Sequence, residues 1–417
     1  MFIFLCYIIL SPIILGLILC SSLFNAKIRT HLWEGRKSIK SAKSKITRSA
    51  NDKEIILFHA ASAGEFEQLK PILKEIDRAK YFVLLTFFST TIFEKENNTI
   101  LADAICYHPF DLPWSAISFF IKLKPEKYII TRHDLWPFHV YFARLFGIKT
   151  VFINANLYPN SGRFYFGLTS FNRWLFHQFD LILTGSENLK KTILSLAPKS
   201  NVKVTGDSRF DQVIQRSENS KKDLLPSIFE NIQNIILGST VDSDLPILSQ
   251  TLDALDNNFF EEVYLIIVPH EIGDNNLLPL ERLLSEKGLS HQRLSEFDEV
   301  NPPQVLIVNR VGILADLYAY GKIAYIGAGF STGVHSVIEP AVHKCVVTYG
   351  PRVDILDEAI EMTHEEAGIM IHNGSELASI FEKIQHPAEI EELGNRAYQF
   401  VIEKENASTR IINEIFN

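Results

Sequence analysis

Short apolar runs alternate with amphipathic stretches along most of the chain. Each run is five or six residues long and is followed by small or polar residues, and then by apolar positions at helical spacing. Continuous apolar strands separated by helices are typical of parallel sheets covered on both faces, so the pattern predicts an α/β fold. The predicted strands are residues 54–59, 81–86, 127–131, 149–154, 180–184, 201–205, 234–238, 263–268, 304–308, 322–326 and 345–349.

The predicted strands fall into two groups, which a polar segment separates. Residues 207–231 are rich in polar and charged side chains and lack a strand pattern, so they are the predicted linker. The length of 417 residues also exceeds what one compact core usually holds. The sequence therefore predicts two doubly wound, Rossmann-like domains, residues 51–206 and 232–417, that face a cleft at the carboxyl ends of their strands.

The amino-terminal segment differs from the rest, because residues 1–26 are predominantly apolar and carry no charge. A helix of about 20 such residues can cross a bilayer core of about 30 Å, so the segment is predicted to be an uncleaved membrane anchor. A cleaved signal peptide and a buried core helix are the alternatives. No basic residue precedes the apolar run, and Leu19 is too large for the position before a lipoprotein cysteine.

Charge is distributed unevenly, although the net charge of -8 is ordinary. Residues 27–50, called the basic collar below, hold eight Lys or Arg side chains against the acid Glu34, a net charge of +7 that leaves -15 for the residues after it. Because Lys and Arg are enriched on the cytoplasmic side of membranes, the collar and the body that follows are predicted to be cytoplasmic.

Cysteine spacing and glycine motifs argue against several classes of protein. The four cysteines are scattered without CxxC spacing, which argues against structural zinc and a disulfide framework. Neither GxGxxG with a later acid, typical of NAD binding, nor the GxxxxGK[ST] phosphate loop occurs. Asp242 and Asp244 could ligate a metal ion, but two acids in a polar loop are a weak pattern, and no metal is predicted.

The motif Ser62-Ala63-Gly64-Glu65 ends the first predicted strand. A glutamate in the first turn of a helix is expected to stay ionised because of the helix dipole, and it could accept a proton from a sugar hydroxyl. Ser-x-x-Glu is also a capping box, in which the same carboxylate binds the backbone for local reasons. From these residues alone the cap is favoured, and both interpretations remain open.

A glycine-rich stretch, residues 327–340, follows the predicted strand 322–326. Its amides could cradle a phosphate, and Glu339 could accept ribose hydroxyls. His335 and Glu339 are four residues apart and are predicted to share one helix face. Three other loops, residues 238–240, 268–270 and 309–312, also follow predicted strands. Each alone could be an ordinary turn. Three loops with such residues in one domain are more than turn formation requires, so they are candidates for ligand binding.

Together these motifs resemble those of the 3-deoxy-D-manno-octulosonic acid (Kdo) transferases of Gram-negative bacteria. The resemblance covers nearly the whole chain, and its motifs occur in the same order. They are residues 34–37 (EGRK), 59–67 (HAASAGEFE), 134–137 (DLWP), 204–211 (VTGDSRFD), 238–240 (GST), 269–270 (PH), 311–314 (VGIL) and 327–340 (GAGFSTGVHSVIEP).

The resemblance implies an inverting GT-B glycosyltransferase that moves Kdo from CMP-Kdo to the lipid A precursor, lipid IVA, at the cytoplasmic face of the inner membrane. The amino-terminal domain would bind the acceptor and the carboxyl-terminal domain the donor, with no cofactor, metal or nucleic-acid partner. Glu65 matches the family's general base, and Asp134 and Arg209 match groups that stabilise the transition state. The implied donor-binding residues are Ser239, Thr240, Pro269, His270, Val311, Gly312, Ile313, Gly329, His335, Ser336, Val337, Ile338 and Glu339.

Several positions depart from the family pattern. Arg132 stands where an acid is common, and Asp134 is shorter than the usual glutamate. Ser336 replaces the usual asparagine, and His270 stands where many members have arginine. Two other functions stay open: a GT-B transferase that uses a different nucleotide sugar, and an inactive membrane-anchored binding module of the same fold.

Overall fold

The computed structural model describes residues 2–221, 223–230 and 232–417. Contacts between residues divide the chain into two compact units. Unit one holds the residues up to Gln212 together with Asn406–Asn417, and unit two holds Val213–Glu405. Met1 of the predicted anchor, and Lys222 and Asn231 of the predicted linker, lie outside the described residues.

The described part of unit one contains a seven-stranded sheet and the helices around it. The strands are β1 (Glu54–Ala60), β2 (Tyr81–Phe87), β3 (Ala104–Tyr107), β4 (Lys127–Thr131), β5 (Lys149–Ala155), β6 (Leu181–Thr184) and β7 (Val202–Val204). The helices are α1 (Phe2–Phe24), α2 (Ala26–Ser49), α3 (Ala63–Glu75), α4 (Thr90–Glu96), α5 (Pro113–Leu123), α6 (Pro137–Leu145), α7 (Thr169–Phe176), α8 (Glu187–Leu196) and α9 (Ser208–Glu218), which runs on into unit two.

Unit two repeats this architecture over the residues that the structure describes, again with a seven-stranded sheet. Its strands are β8 (Gln233–Thr240), β9 (Val263–Pro269), β10 (His291–Arg293), β11 (Val305–Ile307), β12 (Gly321–Ile326), β13 (Val346–Tyr349) and β14 (Ile369–Met370). Its helices are α10 (Leu245–Ala254), α11 (Asp274–Glu286), α12 (Leu314–Leu317), α13 (Ile338–Val342), α14 (Asp357–His364), α15 (Gly374–Glu382) and α16 (Pro387–Ile402).

Both sheets are parallel and have apolar cores. In unit one, Leu57 of β1 packs into one core with residues of α5, while its neighbours Ile56 and Phe58 pack into a second core with residues of α3. Successive residues of a strand point to opposite faces, so this alternation shows that the sheet is covered on both sides. The parallel α/β architecture predicted from the continuous apolar runs is therefore confirmed.

Strand order fixes where a ligand can bind in each unit. The orders are β3-β2-β1-β4-β5-β6-β7 and β10-β11-β9-β8-β12-β13-β14. In both sheets the direction of winding reverses beside the first strand, between β1 and β4 and between β8 and β12. The connections that leave the carboxyl ends of these two strand pairs diverge and open a crevice, which is where open α/β sheets bind ligands.

The eleven predicted strands are all present, and the structure adds β3, β10 and β14. Each of these three lies at or next to an edge of its sheet and is between two and four residues long. β10 reads His-Gln-Arg and β14 has only two residues, so neither contains an apolar run. β3 reads Ala-Ile-Cys-Tyr and is mostly buried, but it is only four residues long. The segment predicted as a linker, 207–231, differs from the prediction in that α9 occupies its first half.

The carboxyl-terminal helix α17 (Ala407–Phe416) departs from the prediction that residues 232–417 form one domain, because it packs in unit one. Ile411 and Ile415 enter the core beside α3. The carboxylate of Asp211 accepts hydrogen bonds from the backbone N–H groups of Asn406 and Ser408, at 2.7 and 2.6 Å, and so fixes the start of the helix. The sequence of this helix carries no signal for which core it joins.

The amino-terminal helices match the predicted anchor and collar in position. Helix α1 is long and apolar enough to cross a membrane by length and composition. Asn25 separates it from α2, and the Asn25 side chain caps α2 by accepting from the backbone N–H groups of Lys27 and Ile28. All eight basic side chains of the collar are exposed, whereas His31 on another face of α2 is buried.

Candidate active site

Glu65 lies at the junction of β1 and α3, at the reversal point of the sheet in unit one. Its Oε2 accepts hydrogen bonds from the backbone N–H of Ala61 at 2.6 Å and of Ser62 at 3.2 Å. The Ser62 hydroxyl in turn accepts from the N–H of Glu65 at 3.4 Å, which completes a capping box. Among the described residues no hydrogen bond to the other carboxylate oxygen, Oε1, is present, so the cap engages one oxygen of the pair.

The environment of Glu65 does not keep it ionised, contrary to the expectation from the helix dipole. Its side chain is buried, and this burial, together with the charge of Asp134, raises its pKa from 4.5 to about 7. The amides of Ala61 and Ser62 and the charge of Arg132 lower the pKa but do not offset burial. The carboxyl group therefore exchanges its proton near neutral pH.

The loop after β4 forms the other side of this reversal point. It contains Arg132, whose φ of 66° is left-handed, and Asp134, whose pKa is raised by burial and lowered by the charge of Arg163. The backbone N–H of Arg132 donates to the carbonyl of Ile153 in β5 at 3.0 Å, which holds the loop to the sheet. The carboxyl groups of Glu65 and Asp134 thus lie in one site together with the guanidinium groups of Arg132 and Arg163.

Three guanidinium groups surround this loop. Arg163 donates to the carbonyl oxygen of His133 at 3.0 Å, and Arg209 pairs with Asp207 at 2.9 Å. Partial desolvation of the His133 ring, followed by the charges of Arg132, Arg163 and Arg209, lowers its pKa to about 4. His133 is therefore neutral at physiological pH. The site combines Glu65, Asp134 and the Asp207 that pairs with Arg209 with three guanidinium groups.

In unit two the corresponding reversal point is held together by Asp244. Its Oδ2 accepts from the backbone N–H groups of Val241 and Ala328, both at 2.9 Å, and its Oδ1 accepts from the hydroxyl of Tyr325 at 2.8 Å. These bonds join the turn after β8 to the glycine-rich turn after β12. A side chain at Gly327 would collide with Oδ2 of Asp244 and with the backbone of β8, so this glycine is required by close packing.

The hydrogen bonds of Asp244 thus give it a structural role in this turn. Within the described residues, no group of three or more His, Cys, Asp or Glu side chains is placed to hold a metal ion. Metal-independent chemistry remains a prediction.

A cavity of about 340 Å³ opens beside Asp244. Its floor is apolar and includes Leu237 and Ile267, and its mouth includes Thr240, Pro269 and His270. The rings of His270 and His335 are stacked, with 4.7 Å between centroids and 10° between planes. A concave apolar site with a few polar groups at its mouth is typical of small-molecule binding.

The remaining predicted donor residues lie on other elements. Glu339 is in the first turn of α13; burial raises its pKa, the charge of Arg216 lowers it, and Asp316 raises it. Arg216 and Asp316 form an ion pair at 3.1 Å. Asp316 lies in α12, which directly follows the exposed residues Val311 and Gly312 and the buried Ile313. The described lining of the cavity does not include Glu339.

The prediction that His335 and Glu339 share a helix face is wrong. Helix α13 begins only at Ile338, so His335 lies in the preceding loop. There its ring stacks on that of His270.

Several predicted donor residues are held by packing of the unit itself. Val337 and Ile338 are buried, with 0% and 1% of their surface exposed. A Cβ at Gly329 would lie 2.5 Å from the backbone nitrogen of Gly350, so this glycine serves close packing of two loops. Ser239 has a left-handed φ of 54° within the end of β8, while Ser336 is partly exposed in the loop before α13.

Arg163 and Asp244 are the site residues that sequence reasoning missed. Arg163 lies in the loop after β5, the strand next to β4, so its place at the carboxyl edge of the sheet could have been inferred from strand order alone. Asp244 was considered only as a metal ligand. Its structural role depends on bonds to the backbone of Val241 and Ala328, and Val241 has no hydroxyl that would complete a recognisable capping box in the sequence.

Comparison with known proteins agrees with these motifs. Residues 21–212 match the family model described as 3-Deoxy-D-manno-octulosonic-acid transferase (kdotransferase). The 3-deoxy-D-manno-octulosonic acid transferase of Aquifex aeolicus is 27% identical over 332 residues, which are 79% of this chain and 85% of that protein. The protein of the same name from Haemophilus influenzae is 26% identical over 368 residues, 86% of each chain. A solved glycosyltransferase structure from Rickettsia africae has a TM-score of 0.60 at 14% identity and covers 87% of this chain and 98% of its own.

The two parallel-sheet units and this structural likeness define the class of the protein, a GT-B fold. Fold alone does not fix a reaction. The family model and the sequence relatives add a resemblance to the Kdo transferases, in agreement with the motifs.

The raised pKa of Glu65 predicts a pH-dependent stability. The folded protein binds this proton more tightly than the unfolded chain, so the contribution of Glu65 is fully present below pH 4.5 and is lost as pH rises through about 7. The Glu65→Gln variant lacks this titration. We expect its stability relative to wild type to increase by about 2 kcal/mol between pH 5 and pH 8, measured by thermal unfolding.

Glu67→Gln on the same helix is the matched control, because Glu67 is partly exposed and pairs with Lys70. Its difference from wild type should be the same at both pH values within about 0.5 kcal/mol. An equal pH response of the two variants would contradict the raised pKa of Glu65.

Proposed function

We propose that the protein transfers Kdo from CMP-Kdo to a hydroxyl group of the lipid A precursor, lipid IVA, with inversion at the anomeric carbon. The observation that carries this proposal is the buried carboxyl group of Glu65, with a pKa of about 7, at the reversal point of the sheet in unit one. Homology to Kdo transferases supports the identity of the sugar.

Glu65 would act as the general base. A base is most effective when its pKa is close to the working pH, because it is then ionised in much of the population and still takes up a proton readily. The acceptor oxygen forms a bond to the anomeric carbon while the bond from that carbon to the CMP phosphate oxygen breaks. The hydroxyl proton passes to Glu65, and the electron pair of the broken bond leaves with CMP. Attack opposite to the leaving group inverts the centre.

The groups around Glu65 suit the charges that develop in this step. The anomeric carbon becomes electron-poor, which the carboxylate of Asp134 would stabilise. The departing phosphate gains negative charge, and Arg209 would supply a balancing positive charge. The charge of Arg163 lowers the pKa of Asp134 and so favours its ionised form against the effect of burial, while the charge of Arg132 does the same for Glu65. The Arg132 departure from the family pattern thus keeps a charged group in the site but changes its sign.

Donor binding is assigned to unit two. The cavity that Thr240, Pro269 and His270 help to line has the size of small-molecule sites, and Glu339 could accept ribose hydroxyls. His270 would contact the phosphate less strongly than an arginine, since an imidazole lacks the forked pair of donors of a guanidinium group. Ser239, His335, Ser336 and the loop of Val311 remain further candidates on the same unit.

The apolar helix α1 and the basic collar support membrane association. A lipid acceptor requires the site to be close to the bilayer, and each exposed Lys or Arg near an anionic surface contributes about 1 kcal/mol of attraction. The proposed location is the cytoplasmic face of the inner membrane.

Substitution of Glu65 tests the proposed base. Glu65→Gln keeps the size of the side chain and an oxygen for the capping box, but it cannot take up the proton. We expect transfer from CMP-Kdo to lipid IVA to fall at least about 100-fold, the scale of general base catalysis. Binding of CMP, which is assigned to unit two, should be unchanged. Near-normal transfer by this variant would refute the role.

Protection from proteolysis discriminates between the donor alternatives. If the donor is a CMP sugar, CMP should slow protease cleavage within Val213–Glu405 and UDP at the same concentration should not, because ligand binding stabilises the folded state. Protection by UDP alone would indicate a transferase that uses another nucleotide sugar. If CMP protects the protein but the wild type transfers no Kdo from CMP-Kdo to lipid IVA, the protein is the inactive binding module.

A further inference from the structure

The first turns of α1 are docked on unit one. The ring centroid of Phe4 lies 4.5 Å from that of Trp174 and 5.2 Å from that of Phe138, and Phe4 is only 7% exposed. Tyr7, one turn further along, stacks on Phe138 with 4.4 Å between centroids. Ser11, the next residue on this face, is 1% exposed. On this face of α1, these contacts shield three successive turns of the helix from solvent or lipid.

A polar contact reinforces this docking. The Tyr7 hydroxyl donates to the backbone oxygen of Asp111 at 3.0 Å and lies 3.2 Å from its Oδ2. The Asp111 carboxylate also accepts from the backbone N–H groups of Phe138 and His139, at the start of α6. Asp111 is therefore fixed to the body of unit one, and Tyr7 is bound to a rigid acceptor that the hydrocarbon of a bilayer could not provide.

The far end of α1 is also close to unit one. Helix α2 begins just after Asn25, and His31 in α2 is buried, with its ring nitrogens 3.0 Å from the carbonyl oxygens of Phe88 and His108. Phe24 and His31 are seven residues apart, which corresponds to about 10 Å along a helix. Both ends of α1 therefore lie within a short distance of the same unit.

One face of α1 is buried at Phe4 and Ser11 and is less exposed than the opposite face over the rest of the helix. Its partly or fully buried positions recur every three or four residues and include Phe4, Tyr7, Ser11, Ile14, Ile18 and Ser22. The opposite face is apolar and open, with side chains that are 53% to 92% exposed at Leu5, Ile9, Ile13, Leu17 and Phe24. This division is expected of a helix that lies along a protein surface and presents its other face to an apolar medium.

The docked turns leave too little helix to span a bilayer. If the first turns stay on unit one, residues 12–24 remain, and they rise only about 20 Å against a hydrocarbon core of about 30 Å. We propose that α1 does not cross the membrane but lies within a single leaflet, with both of its ends on the same face. This differs from the spanning anchor that its length and composition predict.

The chemistry of the surface selects the partner. The exposed apolar face of α1 suits the acyl chains of one leaflet, and the exposed basic side chains of the collar, which follows directly, suit anionic headgroups. A single leaflet of anionic phospholipid is the medium that matches both surfaces at once.

Disulfide cross-linking tests whether α1 stays packed against the rest of unit one when the protein is in the membrane. In a background with Cys6→Ser and Cys20→Ser, the pair Phe4→Cys and Trp174→Cys should form a disulfide in native membranes under mild oxidation. The control pair is Ile13→Cys with Trp174→Cys, because Ile13 is 61% exposed and lies nine residues further along the helix. Cross-linking of the control but not of the first pair, or of neither pair, would overturn the docked arrangement.

Topology is measured by labelling in sealed vesicles with a membrane-impermeant maleimide. One variant in the same background carries a short uncharged extension with one cysteine ahead of Met1, and a second carries Lys45→Cys in the exposed collar; Cys106 and Cys345 are buried. We expect both cysteines to react in inside-out vesicles and neither to react in right-side-out vesicles. Labelling of the two cysteines from opposite faces would establish a spanning helix and overturn the proposal. Neither experiment depends on transfer activity, so its outcome is separate from that of the proposed function.

Discussion

The burial of one carboxyl group, that of Glu65, is the constraint on which the proposed site depends. The group must be close enough to the backbone to complete the cap of α3, and this places it at the end of β1, where the sheet reverses its winding. There the cost of desolvation exceeds the stabilisation from two amide bonds, so the carboxyl holds its proton up to about pH 7. A residue that caps a helix is thereby also a residue that can exchange a proton near neutral pH. The structural and the catalytic interpretations of the motif are compatible, because the described cap uses only one of the two oxygens.

Unit two uses a carboxylate at the equivalent place for a different purpose. Asp244 also lies beside the reversal point, but its two oxygens accept bonds from two backbone amides and a tyrosine hydroxyl. A buried carboxylate that is satisfied in this way fixes the backbone around it. Here it fixes the loops that carry Thr240 and the glycine-rich turn, beside the cavity to which donor binding is assigned. One fold thus provides a proton-exchanging acid in one unit and a structural acid in the other.

Much of this architecture could be predicted from the sequence because it depends on local patterns. Buried parallel strands read as continuous apolar runs, and all those predicted are present, whereas β10 and β14 are too short, and β10 too polar, to be recognised. The association of α17 with unit one depends on contacts such as that of Asp211 with Ser408, which are far apart in the chain. The ionised state expected for Glu65 differs from the structure for the same reason: the helix dipole is local, while burial and the charge of Asp134, which raise its pKa, arise from tertiary packing. His335 stacks on His270, 65 residues away in the chain, and helical spacing does not reveal such a contact.

The central claim is that Glu65 takes up the proton of the acceptor's hydroxyl group during Kdo transfer. The pH dependence of kcat/KM for transfer from CMP-Kdo tests this claim most directly. If Glu65 is the base, the rate should rise between about pH 6 and pH 8 with an apparent pKa near 7, the pKa of this group in the free protein. A profile that is flat from pH 5.5 to pH 8.5, or one that rises only near the ordinary glutamate pKa of 4.5, would contradict it.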